Sequence, residues 1–509
     1  MVELKNNYVI NTQYSYTYWP TSSPNYLRYI VQVEGYNVKK TEKLSVLDLG
    51  CGQGLGVCIL AAANPDCDIV GVDFNPEHIA NGVELAQKAE LKNAHFVEGS
   101  FSDLLLDKKF MKQRFDVIII HGVYSWVDGD NRDALHQIID QTTDDGAIIF
   151  VSYNTQPGRN QFKAIQELIL LHADYNPKSN EDQAHEAIHF IEKIRRMNYK
   201  FFRDNHSGTE QVLTHANSAK GGYAVHEFLH RNQGSYFFHD VYDKFEKDKF
   251  AFISSTNLAN NRIKFEKDEI EVSDSPRWTE TLKDYYLSTQ FRTDVFVKNP
   301  TKMSESERED VLRAIPLMTR WAPQQTRFSL FGINNCDIKS AETLDLIVKL
   351  FENGIPTIGD IADLLKLELN FEQSLNWINR QIQNDNIEPR RLEQPDPSSA
   401  QRFNQTVLAD EPFGKRYNFF AHPTTGNGIH AQRELAFLLS TLQENSPMSF
   451  MELLETLKQQ AKNRPDMVEG LLSLTDPKDE VRSTAALATL AYKAVGQDIP
   501  HLRRLKILP

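Results

Sequence analysis

An apolar run opens at Leu44, ends in an aspartate and then turns through three glycines: LSVLDLGCGQG, with Asp48, Gly50, Cys51, Gly52 and Gly54, followed by the apolar segment Leu55–Ala63. A buried parallel strand feeding a glycine turn and then a helix has this layout, which lets the backbone approach a ligand closely. A glycine turn by itself is common in α/β chains. Here a second, mostly apolar run, Cys67–Val72, ends in Asp73 about 20 residues past the glycines, the spacing of a carboxylate that holds a ribose. The pattern predicts a strand-ended pocket for a nucleotide-like ligand.

Further runs extend the pattern. Ala94–Val97, Asp116–Ile120 and Ala147–Val151 read as strands, with helices near Leu55–Ala63, Glu77–Ala89 and Arg132–Gln141. Continuous apolar runs without alternation suit strands covered on both faces, so the expected class is α/β with a doubly wound parallel sheet. A helix is expected over Arg159–His172, then a charged helical stretch from Asn176 to about Gly221. A helix at Asp240–Phe250 and strands at Ala251–Ser254 and Thr289–Lys298 follow.

At 509 residues, and roughly 150 per domain, the chain has room for about three domains. Its net charge of −13 argues against non-specific nucleic-acid binding, which needs a basic face. Cys51, Cys58, Cys67 and Cys336 show no paired spacing and read as free thiols of a reducing compartment. MVELKNNYVI lacks the features of a signal peptide, and no apolar run approaches the ~20 residues of a membrane span. A soluble, cytoplasmic protein is expected.

Outside the sheet region the chain divides into three. Residues 1–43 crowd Tyr8, Tyr14, Tyr16, Tyr18, Trp19, Tyr26, Tyr29 and Tyr36 together, with helical spacing from Tyr26 to Val33 after Pro24. Either these rings pack that helix onto the sheet, or Tyr14, Tyr16 and Tyr18, on one face of an extended segment, form a lid over the ligand. Residues 301–398 hold helices at Lys302–Ala314, within Asp337–Leu365 on either side of Gly354-Ile355-Pro356-Thr357, and at Phe371–Ile387, a winged-helix-like module suited to a structural or dimerising role. A polar linker is expected over Glu388–Ala400, and helices at Gln432–Glu444, Met448–Asn463 and Asp479–Val495 within a C-terminal domain, residues 399–509.

VLDLGCGQG, VGVDFNPEHI, HFVEGSFSDL and FDVIIIHGVYSWV, taken in series, resemble the motifs of class I S-adenosylmethionine-dependent methyltransferases. Downstream, GGYAVHEFLHRNQGSYFFHDV, FAFISSTN and LSTQFRTDVFVK are similar to the methyltransferase regulatory-domain segment of the rickettsial-type outer-membrane-protein lysine methyltransferases and related bacterial proteins. HGVYSWV and SYNTQPG match that group too, with Arg159 standing where a tryptophan is expected; the likeness spans most of residues 10–450. It implies a Rossmann-like seven-stranded sheet over residues 44–300, five parallel strands closed by a hairpin-like sixth and seventh. A helical insertion at about 176–235, the regulatory-like segment at about 215–300 and mainly α C-terminal domains complete it.

The resemblance also implies roles. S-adenosylmethionine is the cofactor and S-adenosylhomocysteine the product. Gly50, Cys51, Gly52 and Gly54 lie along its methionine portion, Asp48 near its ammonium group and Asp73 on its ribose hydroxyls, with Phe74 next in the chain. Ser100 and Phe101 fall beside the adenine, and His121 and Gly122 beside the methionine portion. Nothing marks Cys51 as a nucleophile. The absence of a DPPY- or NPPY-like tetrad after the fourth strand argues against amide and nucleobase N-methylation.

For a lysine acceptor, keeping an amine of pKa ~10.4 neutral at pH 7 costs roughly 4.6 kcal/mol. Aromatic walls and a proton acceptor lower that cost. Tyr124, Trp126, Tyr14 and Tyr16 are the wall candidates, Asn154 could orient the amine, and His121 is either a proton acceptor or a core histidine. The partner implied is a protein, an outer-membrane or surface one, with a homodimer as a further possibility for the C-terminal half. Rival readings are a methyltransferase of a small metabolite or lipid, and a non-catalytic regulator that binds the cofactor. His226-Glu227-Phe228-Leu229-His230 spells the H-E-x-x-H zinc-protease pattern, but Asn232-Gln233-Gly234 would break its helix and only Glu246 offers a third ligand; no metal site is expected.

Overall fold

Consecutive buried β-residues such as Val117–Ile120 must satisfy two apolar layers, since alternate side chains leave opposite faces. That requirement builds the centre of the molecule. The computed structural model describes residues 4–5, 8–9, 16–41, 43–218, 222–263, 265, 273, 275–320, 338, 340–410, 416–430, 450–463, 487–488 and 506. Five parallel strands, β1 (Ser45–Leu49), β2 (Asp68–Asp73), β3 (Ala94–Glu98), β4 (Val117–Ile120) and β5 (Ile148–Asn154), are joined by β6 (Phe250–Ser255) and β7 (Phe291–Lys298). The order is β3-β2-β1-β4-β5-β7-β6, with β7 antiparallel to both its neighbours. This α/β sheet is the seven-stranded plan implied by the resemblance. The strand order reverses between β1 and β4, so a crevice opens at their carboxyl ends.

One face of the sheet, with Val46, Ile69, Val117, Ile119 and Phe150, packs against α1 (Pro24–Val33), α2 (Leu55–Ala63) and α3 (Pro76–Lys88). The other, with Leu47, Leu49, Ile118, Ile120 and Ile149, packs against α4 (Phe101–Leu106) and α5 (Gly129–Gln141). α1 starts at Pro24 and buries Tyr26 and Tyr29, whose hydroxyls donate to the Thr256 carbonyl (3.2 Å) and to Asn379 Oδ1 (2.5 Å). These two rings therefore pack the helix.

Between β5 and β6 come α6 (Asn160–Tyr175), α7 (Asn180–Arg196), α8 (Lys200–Asp204), α9 (His206–Ser218) and α10 (Gly222–Leu229), with a core of their own around Phe162, Ile169, Ile191, Val225 and Phe228. α11 (Phe238–Lys247) leads into β6, and α12 (Pro276–Leu287), not expected from the sequence, into β7. α12 shows no apolar stripe because its inward residues are Glu280, Lys283 and Asp284. They surround the buried Arg292 of β7, which donates to Glu280 (2.9 Å), Asp284 (2.8 Å) and Asp294 (2.8 Å).

Beyond α13 (Glu305–Arg313), a short strand β8 (Leu317–Thr319) pairs with β9 (Ile387–Pro389) around α14 (Ala341–Asn353), α15 (Ile358–Leu365) and α16 (Phe371–Gln383). The stretch expected to be a solvated linker, Glu388–Ala400, instead carries Arg391, 1% exposed, which donates to Asp66 (2.9 Å) and Asn64 (3.2 Å) behind α2. Then follow α17 (Ser398–Asp410), a hairpin of β10 (Phe419–His422) and β11 (Asn427–His430), and α18 (Phe450–Asn463). The helix expected at Gln432–Glu444 lies outside the described residues, as does all but 487–488 of Asp479–Val495. No helix among the described residues is long and apolar enough to cross a membrane.

Candidate active site

The glycine turn folds back onto the end of β2. Gly50 and Cys51 N–H both donate to the Val72 carbonyl (2.8 and 2.9 Å), and Gly52 N–H donates to Asp73 Oδ2 (3.0 Å). The N–H groups of Gly50, Cys51 and Gly52 are thus spent within the turn. Gly50 lies at φ +83°, where a Cβ would stand 2.3 Å from Val123 Cγ2. Gly54 does not line the crevice: at φ +75° it caps α2, and its Cα face abuts Gly82 and Phe96, with a built Cβ at 2.7 Å from each.

The crevice is walled by Asp48, Gly50, Cys51, Gly52, Asp73 and Phe74 on one side and by Ser100, Phe101, His121, Gly122 and Trp126 on the other. Asp73 Oδ1 accepts from Asn75 N–H (2.9 Å) and lies 3.2 Å from His78 Nδ1. A carboxylate has about four acceptor positions, so Oδ2 keeps one for a ligand hydroxyl. His78, on the first turn of α3 and also in the wall, was missed in the sequence; its place five residues after Asp73 was the available signal. Asp48 is pushed up to about 7, by burial first and then by the neighbouring charge of Asp73. Ser100 caps α4 through a reciprocal bond with Asp103, which fixes the adjoining Phe101 in the wall. Cys51 packs its sulfur where Gly71 has no side chain (a Cβ there would be 2.9 Å away), and burial holds its thiol well above the ordinary range. A nucleophilic role has no support.

At the far end, His121 stacks under Trp19 (ring centroids 4.8 Å, 24°) with Phe291 edge-on at 6.3 Å. Its Nδ1 is buried without a hydrogen-bond partner, and burial lowers its pKa to about 4, so the ring is neutral at pH 7. Trp19 and Phe291 come from opposite ends of the domain, and no local motif announced them.

Of the other wall candidates, Tyr124 does not line the crevice. It is 3% exposed and turns into the core, its hydroxyl 3.2 Å from His136 Nε2, while His136 Nδ1 meets Asp248 (3.1 Å). Tyr16 is bound instead to the C-terminal part: it accepts from Arg416 and sets its ring edge to Tyr417. Tyr14 lies outside the described residues. Asn154 is buried at the end of β5 with Nδ2 unpartnered, and it is not part of the crevice wall. Thr17, Tyr18, Trp19 and Ser22 do line it, so a cover from the N-terminal segment exists, with Tyr18 rather than Tyr16 in it.

The zinc-like pattern is occupied by structural contacts. Glu227 binds Arg159 (2.6 Å) and lies 3.8 Å from His215, while His230 follows the end of α10 and accepts from Asn232 N–H. Arg159, in place of the expected tryptophan, also lays its guanidinium over Phe162 at 3.7 Å. Among the described residues no group of three His, Cys, Asp or Glu side chains could hold a metal ion.

Comparison with known proteins matches a methyltransferase-domain family model to residues 40–205 and a predicted methyltransferase regulatory-domain model to residues 220–298. The chain is 24% identical to the uncharacterized protein sll1526 of Synechocystis sp., over 98% of this chain and 99% of that protein. It is 30% identical to the uncharacterized protein RP028 of Rickettsia prowazekii, over 47% of this chain and 92% of that protein. Among solved structures, PKMT2 from Rickettsia typhi in complex with AdoHcy superposes with a TM-score of 0.71 at 19% identity, over 97% of this chain and 99% of the other.

Proposed function

This chain belongs to the class I S-adenosylmethionine-dependent methyltransferases that carry a methyltransferase regulatory domain, and from that premise we propose that its methyl acceptor is a lysine amine of a protein, an outer-membrane or surface one. The pocket fits the cofactor: a Cβ on Gly122 in its wall would meet nothing within 4 Å, and Asp48 and Asp73 place carboxylates at two points of its lining. When bound, S-adenosylmethionine supplies a methyl group on a sulfonium, open to in-line displacement.

The observation that carries the lysine reading is the ring of His121, Trp19 and Phe291 at the end of β4. Aromatic walls desolvate an incoming amine and so favour its neutral form. A neutral imidazole accepts one N–H through its unprotonated nitrogen, and His121 lines the crevice where it can do so. With a pKa of about 4, His121 orients the amine; it does not hold the proton, which leaves to solvent before transfer. The cationic product meets the faces of Trp19 and Phe291, which attract positive charge. Trp126 completes the wall on the other side.

The test is transfer of labelled methyl from the cofactor to a purified outer-membrane protein, with the modified residues located by mass spectrometry. Methyl-lysine is the expected product. Confirmed AdoHcy binding with no label on any lysine would remove the acceptor assignment and leave the family assignment intact.

A further inference from the structure

Tyr18 is enclosed by a part of the chain that sequence order puts far away. Its hydroxyl donates to Asn427 Oδ1 (2.6 Å, buried), 409 positions on, and the same oxygen accepts from Gly428 N–H at 2.7 Å. The ring stands edge-on to Phe419 at 5.5 Å. A Cβ on Gly428 would lie 2.6 Å from Tyr18 Cε1 and 2.9 Å from Ile59 of α2, and Gly428 has no left-handed backbone angle. The glycine is thus needed for the space that the tyrosine ring occupies. Next to this contact, the Gly426 carbonyl accepts from both Ser23 Oγ (3.1 Å) and Asn64 Nδ2 (3.0 Å). The hairpin therefore grips both the segment 17–23 and the end of α2, while the other side of that segment faces the crevice through Thr17, Tyr18, Trp19 and Ser22. Trp19, one residue on, is the ring stacked on His121.

We propose that Tyr18 and Asn427 are a positioning pair through which the hairpin β10–β11 holds segment 17–22 as a wall of the cofactor crevice. Neither residue reacts. Their contact sets where Thr17, Tyr18 and Trp19 stand, and so sets cofactor affinity. The inference rests on cofactor binding by the family and is independent of the acceptor.

The experiment uses the full chain and AdoHcy, with dissociation constants and binding stoichiometry from calorimetry beside the Tm of the unliganded protein. Tyr18→Phe removes only the hydroxyl and is expected to weaken AdoHcy binding about five- to twentyfold, as the loss of one buried hydrogen bond implies. Asn427→Leu should do the same, and the double variant should be weaker than wild type by less than the product of the two effects. Gly428→Ala, which crowds the ring, is expected to weaken binding at least as much. Val225→Ala, in the separate core of the helical insertion, is the stability control and should lower Tm with binding unchanged. Binding within twofold of wild type in Tyr18→Phe and Asn427→Leu overturns the proposal. An equal loss of affinity in Val225→Ala overturns it too, since affinity would then merely follow stability. Tyr18→Phe keeps the fold's packing, so the test stands even if Gly428→Ala does not fold.

Discussion

Asp48 and His121 face the same crevice and depart from ordinary acidity in opposite directions, the one raised and the other lowered, and both departures favour higher pH. Asp48 titrates at about 7, raised by burial and then by Asp73. A ligand ammonium beside it favours the ionised form, so AdoHcy affinity should rise roughly tenfold from pH 6 to pH 8. Calorimetry at both pH values should show this slope, and Asp48→Asn should flatten it. His121 gains a proton near 6.5 when unfolded but only at about 4 when folded. Between those values the unfolded state binds more protons, so acidification from pH 6.5 to 4 should remove on the order of 1–3 kcal/mol of stability. His121→Asn should lose that part of the acid sensitivity in urea titrations. Phe291 touches His121 yet does not line the cofactor crevice, so Phe291→Ala should lower methyl transfer about tenfold and leave AdoHcy affinity unchanged. Asp73 and the glycines were legible as crevice residues because one strand–turn–helix unit carries them. Tyr18 was legible as one of the lid tyrosines, whereas Trp19 and Phe291 were not, since only tertiary packing brings them there. Tyr124 shows the reverse failure: it lies three residues from His121, but the chain turns it into the core.

At the level of elements, apolar period was the readable signal and charge hid what it governed. Every strand of the sheet was visible as an apolar run, and α2 was found to the residue. α12 was not, because the face it buries is Glu280, Lys283 and Asp284 around Arg292. The hairpin β10–β11 was overlooked although its four-residue turn ends on Gly426, since its strands are only four residues each. Arg159 and Glu227 join α10 to the start of α6 in a mostly buried pair, 11% and 7% exposed. Burial alone would raise the Glu227 carboxyl; His215 and Arg159 bring it below its usual range. Arg159→Ala should therefore cost about 3–5 kcal/mol by stranding that charge. Arg159→Ala with Glu227→Gln should recover part of it, both measured by denaturant unfolding.

Across the whole molecule, the order of the chain and the order of the site disagree. The methyltransferase sheet lies within residues 45–298 and segment 17–22 completes its crevice, yet Arg391, Gly426 and Asn427 reach back to Asp66, Asn64 and Tyr18. Saturation with AdoHcy at 100 times its dissociation constant should stabilise the folded chain by about 2.7 kcal/mol. Hydrogen exchange should slow together in segment 17–22, in α2 and in the hairpin 419–430, although only the first two touch the crevice. Protection limited to the glycine turn and α2 would show that the hairpin is energetically separate.

That back-reach has a consequence for biosynthesis. A ribosome adding roughly 5–20 residues per second spends roughly 7–26 s between Lys298, where the sheet is complete, and Gly428. Throughout that interval the sheet can form while Tyr18 lacks the Asn427 oxygen and the Phe419 ring. On the proposed role of the hairpin, the nascent enzyme binds its cofactor tightly only after Gly428 has been made.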